Sequence, residues 1–171
     1  MTDDIKLRRF DLYLSFAATP IGVMSSLQSY SAISETRTDF SMLNYLCVAI
    51  GGALGSVARY WLNGAVTSWG GGAFPLGTLV VNVSGSLAIG FFAALTGPDG
   101  RWPAGSAFRS FVMIGICGGY TTFSAFSLQT LDLMKERHWL YASWNVLGSV
   151  ALCLAGVWLG TILAGSLSQK Q

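Results

Sequence analysis

Near the middle of its third apolar segment the chain reads Gly115-Ile-Cys-Gly-Gly-Tyr-Thr-Thr-Phe-Ser124. Two adjacent glycines precede two β-branched threonines here, and both residue types are poor helix formers. The spacing leaves two interpretations open: a helix that breaks over residues 118–121, or a continuous helix whose glycines pack against a neighbour. A break would free backbone carbonyls, which persist at membrane depth only where protein or a polar cavity surrounds them. Such carbonyls are suitable ligands for hard cations.

The segments on either side of this stretch are long and apolar. Of the 171 residues, 52% are hydrophobic and 11% are charged, and the net charge is +2. Soluble domains contain about 25% charged residues, so the composition excludes an ordinary soluble enzyme, and the small net charge gives no indication of nucleic-acid binding. A spanning helix needs about 20 apolar residues. We therefore predict an all-α membrane protein with four transmembrane helices, at residues 43–66, 76–95, 108–134 and 139–164.

The first 41 residues differ in composition from the rest. They are polar and hold nine acidic and basic side chains, whereas residues 43–131 contain a single acid, Asp99. We expect residues 1–41 to be a polar N-terminal extension that is poorly ordered or lies upstream of the start codon in use. Residues 42–171 would then form the four-helix transmembrane domain.

Basic residues in the loops give almost no orientation bias. Without residues 1–41, one side of the predicted bundle holds Arg101, Arg109 and Lys170, and the other holds Lys135 and Arg137. The extension would raise the first count to seven. Because such residues set membrane orientation, this chain is a candidate for insertion in both directions and for pairing as an antiparallel dimer. Small residues at four-residue spacing also favour a tight bundle and an oligomer; the pairs are Gly51 and Gly55, Ser86 and Gly90, Gly115 and Gly119, and Gly156 and Gly160.

Two tracks of uncharged polar side chains recur at helical spacing on the second and fourth spans. A four-residue interval places such side chains on one helix face. Each track is either a set of interhelical hydrogen bonds or a row of donors that replaces part of the hydration shell of an anion. The residues are Thr78, Asn82 and Ser86 in the second span, and Tyr141, Asn145 and Ser149 in the fourth.

Three further residues are candidates for a role beyond packing. Phe123 and Phe126 share a helix face directly after the glycine cluster, and the electropositive edges of their rings suit a small anion. Arg59 is the one charge well inside a predicted span, where insertion costs about 2.5–3.5 kcal/mol. We expect it to line an aqueous vestibule or to be structural. The sequence contains no nucleophile–base pair, metal-ligand cluster or phosphate-binding loop, so we predict no catalysis.

Taken together, these motifs resemble the Fluc/CrcB family of fluoride ion channels. The resemblance covers all four spans from about residue 42 onward. It rests on Gly51-Gly-Ala-Leu-Gly-Ser-Val-Ala-Arg-Tyr60, Gly77-Thr-Leu-Val-Val-Asn-Val-Ser-Gly85, Gly115-Ile-Cys-Gly-Gly-Tyr-Thr-Thr-Phe-Ser-Ala-Phe-Ser127 and the Tyr141, Asn145 and Ser149 track. Asn145 stands where the family often has serine, and Ala125 where it often has threonine.

The resemblance implies a multi-pass protein of the cell (inner) membrane that exports fluoride passively and selectively, as an antiparallel dual-topology homodimer. It implies a third helix broken near its middle, and a structural sodium ion, not transported, on the backbone carbonyls of Gly118 and Thr121 at that break. The pore residues it implies are Asn82, Phe123, Phe126 and Ser124, with Thr78 and the fourth-span track beside them. Two alternatives stay open: a four-helix small multidrug-type transporter, and a non-transporting membrane subunit.

Overall fold

The computed structural model describes residues 42–70, 72–98 and 100–168. The expected N-terminal extension, residues 1–41, lies outside these described residues. Within them every regular element is helical. The elements are α1 (Met42–Gly70), α2 (Leu76–Thr96), α3 (Ser106–Arg109), a π-helix π1 (Ser110–Cys117), α4 (Gly118–Tyr120), α5 (Phe123–Lys135) and α6 (Trp139–Ser168).

Four helical stretches are long and apolar enough to cross a membrane, as the composition predicts. They are Met42–Gly70, Leu76–Thr96, Ser106–Lys135 and Trp139–Leu167, with hydropathies between 1.3 and 2.1. The third of these, called the third span below, comprises α3, π1, α4 and α5. The prediction of an all-α chain with four spanning helices is confirmed. The observed helices extend at most four residues beyond the predicted bounds, because polar residues at span ends can still complete helical turns.

Glycines determine how closely the helices approach. A side chain at Gly51 would place its Cβ 2.5 Å from the Phe111 carbonyl oxygen and 3.0 Å from the Gly115 Cα. Likewise, a Cβ at Gly160 would collide with the backbone of Leu87. These contacts join α1 to the third span and α2 to α6, so the small-residue pairs serve as packing seams between helices.

The contacts also give the helix directions. Gly51 meets Phe111 and Gly55 meets Ile116, so α1 and the third span run in the same direction. Thr122 meets Asn82 and Tyr120 meets Gly85, so the third span and α2 run in opposite directions. Consecutive spans therefore alternate in direction, as short connections require.

The third span is interrupted near its middle. Thr121 (φ −81°, ψ 157°) and Thr122 (φ −150°, ψ 115°) both have extended backbones. Helix α4 ends just before them at Tyr120, and α5 begins just after them at Phe123. The expected break is therefore present, but it lies later than the predicted stretch 118–121, because Gly118, Gly119 and Tyr120 are helical. The threonines, whose branched side chains suit extended backbone, accommodate the interruption instead of the glycines.

Candidate functional site

Asn82 of α2 holds the interruption in place. The Thr122 N–H donates to Asn82 Oδ1 at 2.8 Å, and Asn82 Nδ2 donates to the Thr122 carbonyl oxygen at 3.1 Å. One side-chain amide thus satisfies both backbone polar groups of an extended residue inside a membrane span. An amide nitrogen has two N–H donors, so Asn82 keeps one for another acceptor.

Two side chains accept hydrogen bonds from backbone N–H groups that would otherwise continue the helix. In an α-helix the N–H of residue i bonds to the carbonyl of residue i−4, so the Gly118 carbonyl would accept from Thr122 and the Thr121 carbonyl from Ala125. Thr122 donates to Asn82, however, and the Ala125 N–H donates to Thr122 Oγ1 at 3.2 Å. Both carbonyls therefore lack their helical donors.

These two carbonyls fit a hard cation in chemical type. Oxygen atoms are the ligands that hard cations prefer, and Ca²⁺, for example, takes about six to eight of them. The helical stretch that ends at Tyr120 also directs the negative end of its dipole towards this position. One protomer supplies only part of such a coordination shell. Among the described residues, no group of three or more His, Cys, Asp or Glu side chains offers another metal site.

Two further hydroxyls support the helix just before the interruption. Ser56 Oγ donates to the Gly119 carbonyl at 3.4 Å. Ser84 Oγ lies 2.7 Å from the Val80 carbonyl oxygen and shares a 2.8 Å hydrogen bond with the Tyr120 hydroxyl. Both Ser84 and Gly118 are exposed in the protomer, although each lies near the centre of its span.

A groove of about 320 Å³ runs beside the interruption. It lies between α2, the third span and α6, and its wall is mostly apolar with a few hydroxyl and amide groups. Phe123 is 78% exposed and Phe126 is 9% exposed, and their ring centroids are 5.3 Å apart. The lining residues are Asn82, Gly85, Ser86, Ile89, Cys117, Gly118, Thr121, Thr122, Phe123, Phe126, Ser149, Val150 and Cys153.

The structure brings only part of the predicted site to this groove. Asn82, both phenylalanines and Ser149 line it, whereas Ser124 is exposed and shares a 3.2 Å hydrogen bond with Thr122. Tyr141 lies at the end of the bundle, edge-on to Phe74 with ring centroids 6.1 Å apart.

Asn145 does not line the groove either. It is 1% exposed and donates to Thr130 Oγ1 at 2.8 Å. The equal spacing along α6 places the polar side chains on one face, but that face meets the groove only around Ser149. The two predicted tracks therefore do not form one continuous lining.

Arg59 lines a second cavity, of about 380 Å³, on the other side of Thr122. This cavity is more polar than the groove, because Ser56, Asn63 and Thr78 also contribute to its wall. Thr78 is buried there and reaches Asn63 Oδ1 at 3.5 Å. Thr78 and Asn82 share a helix face, yet Thr78 lines this second cavity and Asn82 lines the groove.

Sequence reasoning missed several residues that the structure brings to the site. Gln129 lines the Arg59 cavity, and its Oε1 is buried without a hydrogen-bond partner among the described residues. Thr130 links Asn145 to the third span, and Cys117 and Cys153 line the groove. Gln129 and Thr130 were detectable, because neighbouring polar residues in a spanning helix are rare. The cysteines gave no such indication.

Comparison with known proteins agrees with the motifs. The family model described as CrcB-like protein, Camphor Resistance (CrcB), matches residues 46–161. The fluoride-specific ion channel FluC of Rhodospirillum rubrum is 58% identical over 120 residues, which cover 70% of this chain and 93% of the relative. The protein of the same name from Methylocella silvestris is 52% identical over 129 residues, covering 75% of this chain and 98% of the relative.

The family assignment follows from these matches. The family model spans more than half of the chain, and the identities exceed 50% across nearly the whole length of the relatives. They bear out the resemblance that the motifs indicate, and these relatives are named as ion channels rather than enzymes. With its four spanning helices this is a multi-pass membrane protein, and the chain belongs to the CrcB family.

Proposed function

We propose that this protein is a fluoride-selective channel that lets fluoride leave the cytoplasm passively and so lowers its toxicity. The observation that most directly supports the proposal is the interrupted third span. It places an amide donor and two aromatic rings along one groove, in a chain 58% identical to a protein named as a fluoride-specific ion channel. Among the residues that the structure describes, no charged side chain lines this groove.

Neutral donors and ring edges suit a small anion that must move. Asn82 retains one N–H, Ser149 contributes a hydroxyl, and Phe123 and Phe126 contribute ring edges of positive potential. Together these groups replace part of the hydration shell of fluoride. A fixed positive charge in the groove would hold the anion more tightly, whereas conduction needs binding weak enough for exit.

The remaining polar residues extend the proposed path beyond the groove. Arg59 attracts anions into its cavity, where Thr78 and Asn63 provide polar lining, and Ser124 borders the interruption through Thr122. Tyr141 lies towards the end of the bundle, where an aromatic residue with a hydroxyl suits the membrane interface.

The proposed assembly is an antiparallel homodimer with a sodium ion at its centre. Gly118 and Ser84 are exposed near the middle of their spans, where hydrocarbon cannot satisfy freed backbone groups. A second copy would cover this surface. It would also double the available carbonyls of Gly118 and Thr121, which would hold the sodium ion as a structural element outside the fluoride path.

Efflux from liposomes tests the proposed function. Purified protein in vesicles loaded with potassium fluoride is expected to release fluoride when a potassium ionophore dissipates the voltage, and chloride-loaded vesicles are expected to release far less. Absence of fluoride release would favour a non-transporting subunit, and equal chloride release would refute selectivity. Drug-driven proton exchange with no fluoride flux would instead favour the multidrug-type alternative.

A further inference from the structure

Two buried hydrogen bonds in series connect α6 to a residue of the groove wall. Asn145 is 1% exposed, and its Nδ2 donates to Thr130 Oγ1 at 2.8 Å. Thr130 is 7% exposed, and its hydroxyl donates to the Phe126 carbonyl at 2.8 Å. A hydroxyl has one proton, so Thr130 accepts from Asn145 and donates to Phe126, which gives the chain a single direction.

The chain ends at a residue of the groove wall. The carbonyl of Phe126 belongs to the same residue whose ring lines the groove next to Phe123. Asn145 itself has no place in the groove, although Ser149, one turn further along α6, does. The hydrogen bonds thus tie the helix that supplies Ser149 to the helix that supplies the phenylalanine rings.

Side-chain length explains why asparagine suits this position. The amide nitrogen lies two bonds beyond Cβ, whereas a serine hydroxyl is bonded to Cβ directly. With the helix backbones in the same places, serine at position 145 could not span the distance that the Asn145 amide covers to reach Thr130. The partner of Asn145 is therefore a neighbouring helix rather than a passing ion.

We propose that Asn145 is a positioning residue, which acts through Thr130 on Phe126 and does not contact the transported anion. The inference rests on the proposed function and alters it in one respect: on α6, Ser149 is the polar track residue that meets the anion in the groove. Because buried hydrogen bonds in a chain polarise one another, loss of either link is expected to disturb the same position of Phe126.

A double-mutant cycle tests this coupling. The variants are Asn145→Leu, Thr130→Val and the double variant, which keep the number and branching of side-chain heavy atoms while removing the hydrogen bonds. The readout is the ratio of fluoride to chloride efflux from liposomes. A smaller number of folded channels lowers both fluxes equally and leaves the ratio unchanged. Each single variant is expected to lower the ratio about threefold, the effect of one membrane hydrogen bond of average strength.

The double variant decides the outcome. If Asn145 acts through Thr130, the double variant also shows about a threefold loss. If the two losses multiply, Asn145 contacts the anion independently, and the inference is wrong. Ser149→Ala combined with Thr130→Val serves as the matched control and is expected to be multiplicative. Wild-type protein without fluoride efflux would refute the proposed function instead, so the two failures are distinguishable.

Discussion

Asn82 shows how one side chain can make an irregular backbone tolerable inside a membrane. Its amide pairs with the N–H and the carbonyl of Thr122 at 2.8 and 3.1 Å. An unpaired backbone group in this environment costs several kcal/mol, so Asn82 is structurally required before any role in anion passage is considered. Its remaining N–H is the donor that would contact the anion along the proposed path.

Two variants of Asn82 separate these roles. Asn82→Asp keeps the acceptor for the Thr122 N–H, loses the donor to the Thr122 carbonyl and adds a negative charge beside the groove. Fluoride efflux per folded channel is therefore expected to fall below that of Asn82→Leu. Asn82→Leu adds no charge but leaves both Thr122 groups unpaired, and is expected to lower the free energy of unfolding by several kcal/mol. Liposome efflux and thermal unfolding in detergent measure the two effects. Normal efflux in Asn82→Asp would remove Asn82 from the path.

At the scale of elements, the adjacent Gly118 and Gly119 of the third span have different roles. A Cβ at Gly119 would lie 2.5 Å from the Gly52 carbonyl oxygen of α1, whereas a Cβ at Gly118 would meet nothing nearer than the Met113 carbonyl oxygen at 3.8 Å. Gly119 is therefore needed for packing within the protomer. Gly118 has open space around it and is exposed.

Gly119→Ala is expected to destabilise the protomer. Because the contact is with backbone, α4 and α1 must move apart, and overpacking of this kind costs about 1–3 kcal/mol. Gly148→Ala is the control, since a Cβ at Gly148 meets nothing within 4 Å, and its thermal stability should equal or exceed that of the wild type. Equal stability of the two variants would contradict the close packing of α4 on α1.

At the scale of the whole molecule, the described part of one protomer leaves an exposed polar patch at the middle of its spans. Ser84, Gly118 and the interrupted backbone lie on or near this surface. A protein surface of this kind is stable in a membrane only when another protein surface covers it or when it lines a polar cavity. The proposed antiparallel dimer meets this requirement.

Gly118→Val tests the dimer without disturbing the protomer. A Cβ at this position has room inside the chain, and the added methyl groups would occupy the proposed contact with the second copy and its sodium ion. We expect folded monomers, measured by single-molecule photobleaching in bilayers. We also expect sodium to raise the thermal stability of the wild type relative to N-methylglucamine and to leave that of the variant unchanged. A sodium-stabilised dimer of this variant would contradict the proposed interface. Terminal tags found on a single membrane face would contradict the antiparallel arrangement.

Much of this architecture was predictable because the membrane restricts the choices. Residues 76–95 had to be helical, since a backbone in hydrocarbon must satisfy its own hydrogen bonds. The interruption was predictable in kind from the Gly-Gly-Tyr-Thr-Thr stretch, but its position at Thr121 and Thr122 was not. That position depends on Asn82, forty residues away in sequence, which supplies the competing hydrogen bonds.

By itself, then, the sequence determined the four spans, the family motifs and the presence of a weak point in the third span, because hydropathy and helix propensity act locally along the chain. The tertiary structure alone decided which polar side chains reach the groove. Asn145 and Ser149 share one face of α6, yet the first pairs with Thr130 and the second faces the groove. The physical reason is that a hydrogen bond depends on which neighbouring helix lies within reach, and residue spacing along a single helix does not contain that information.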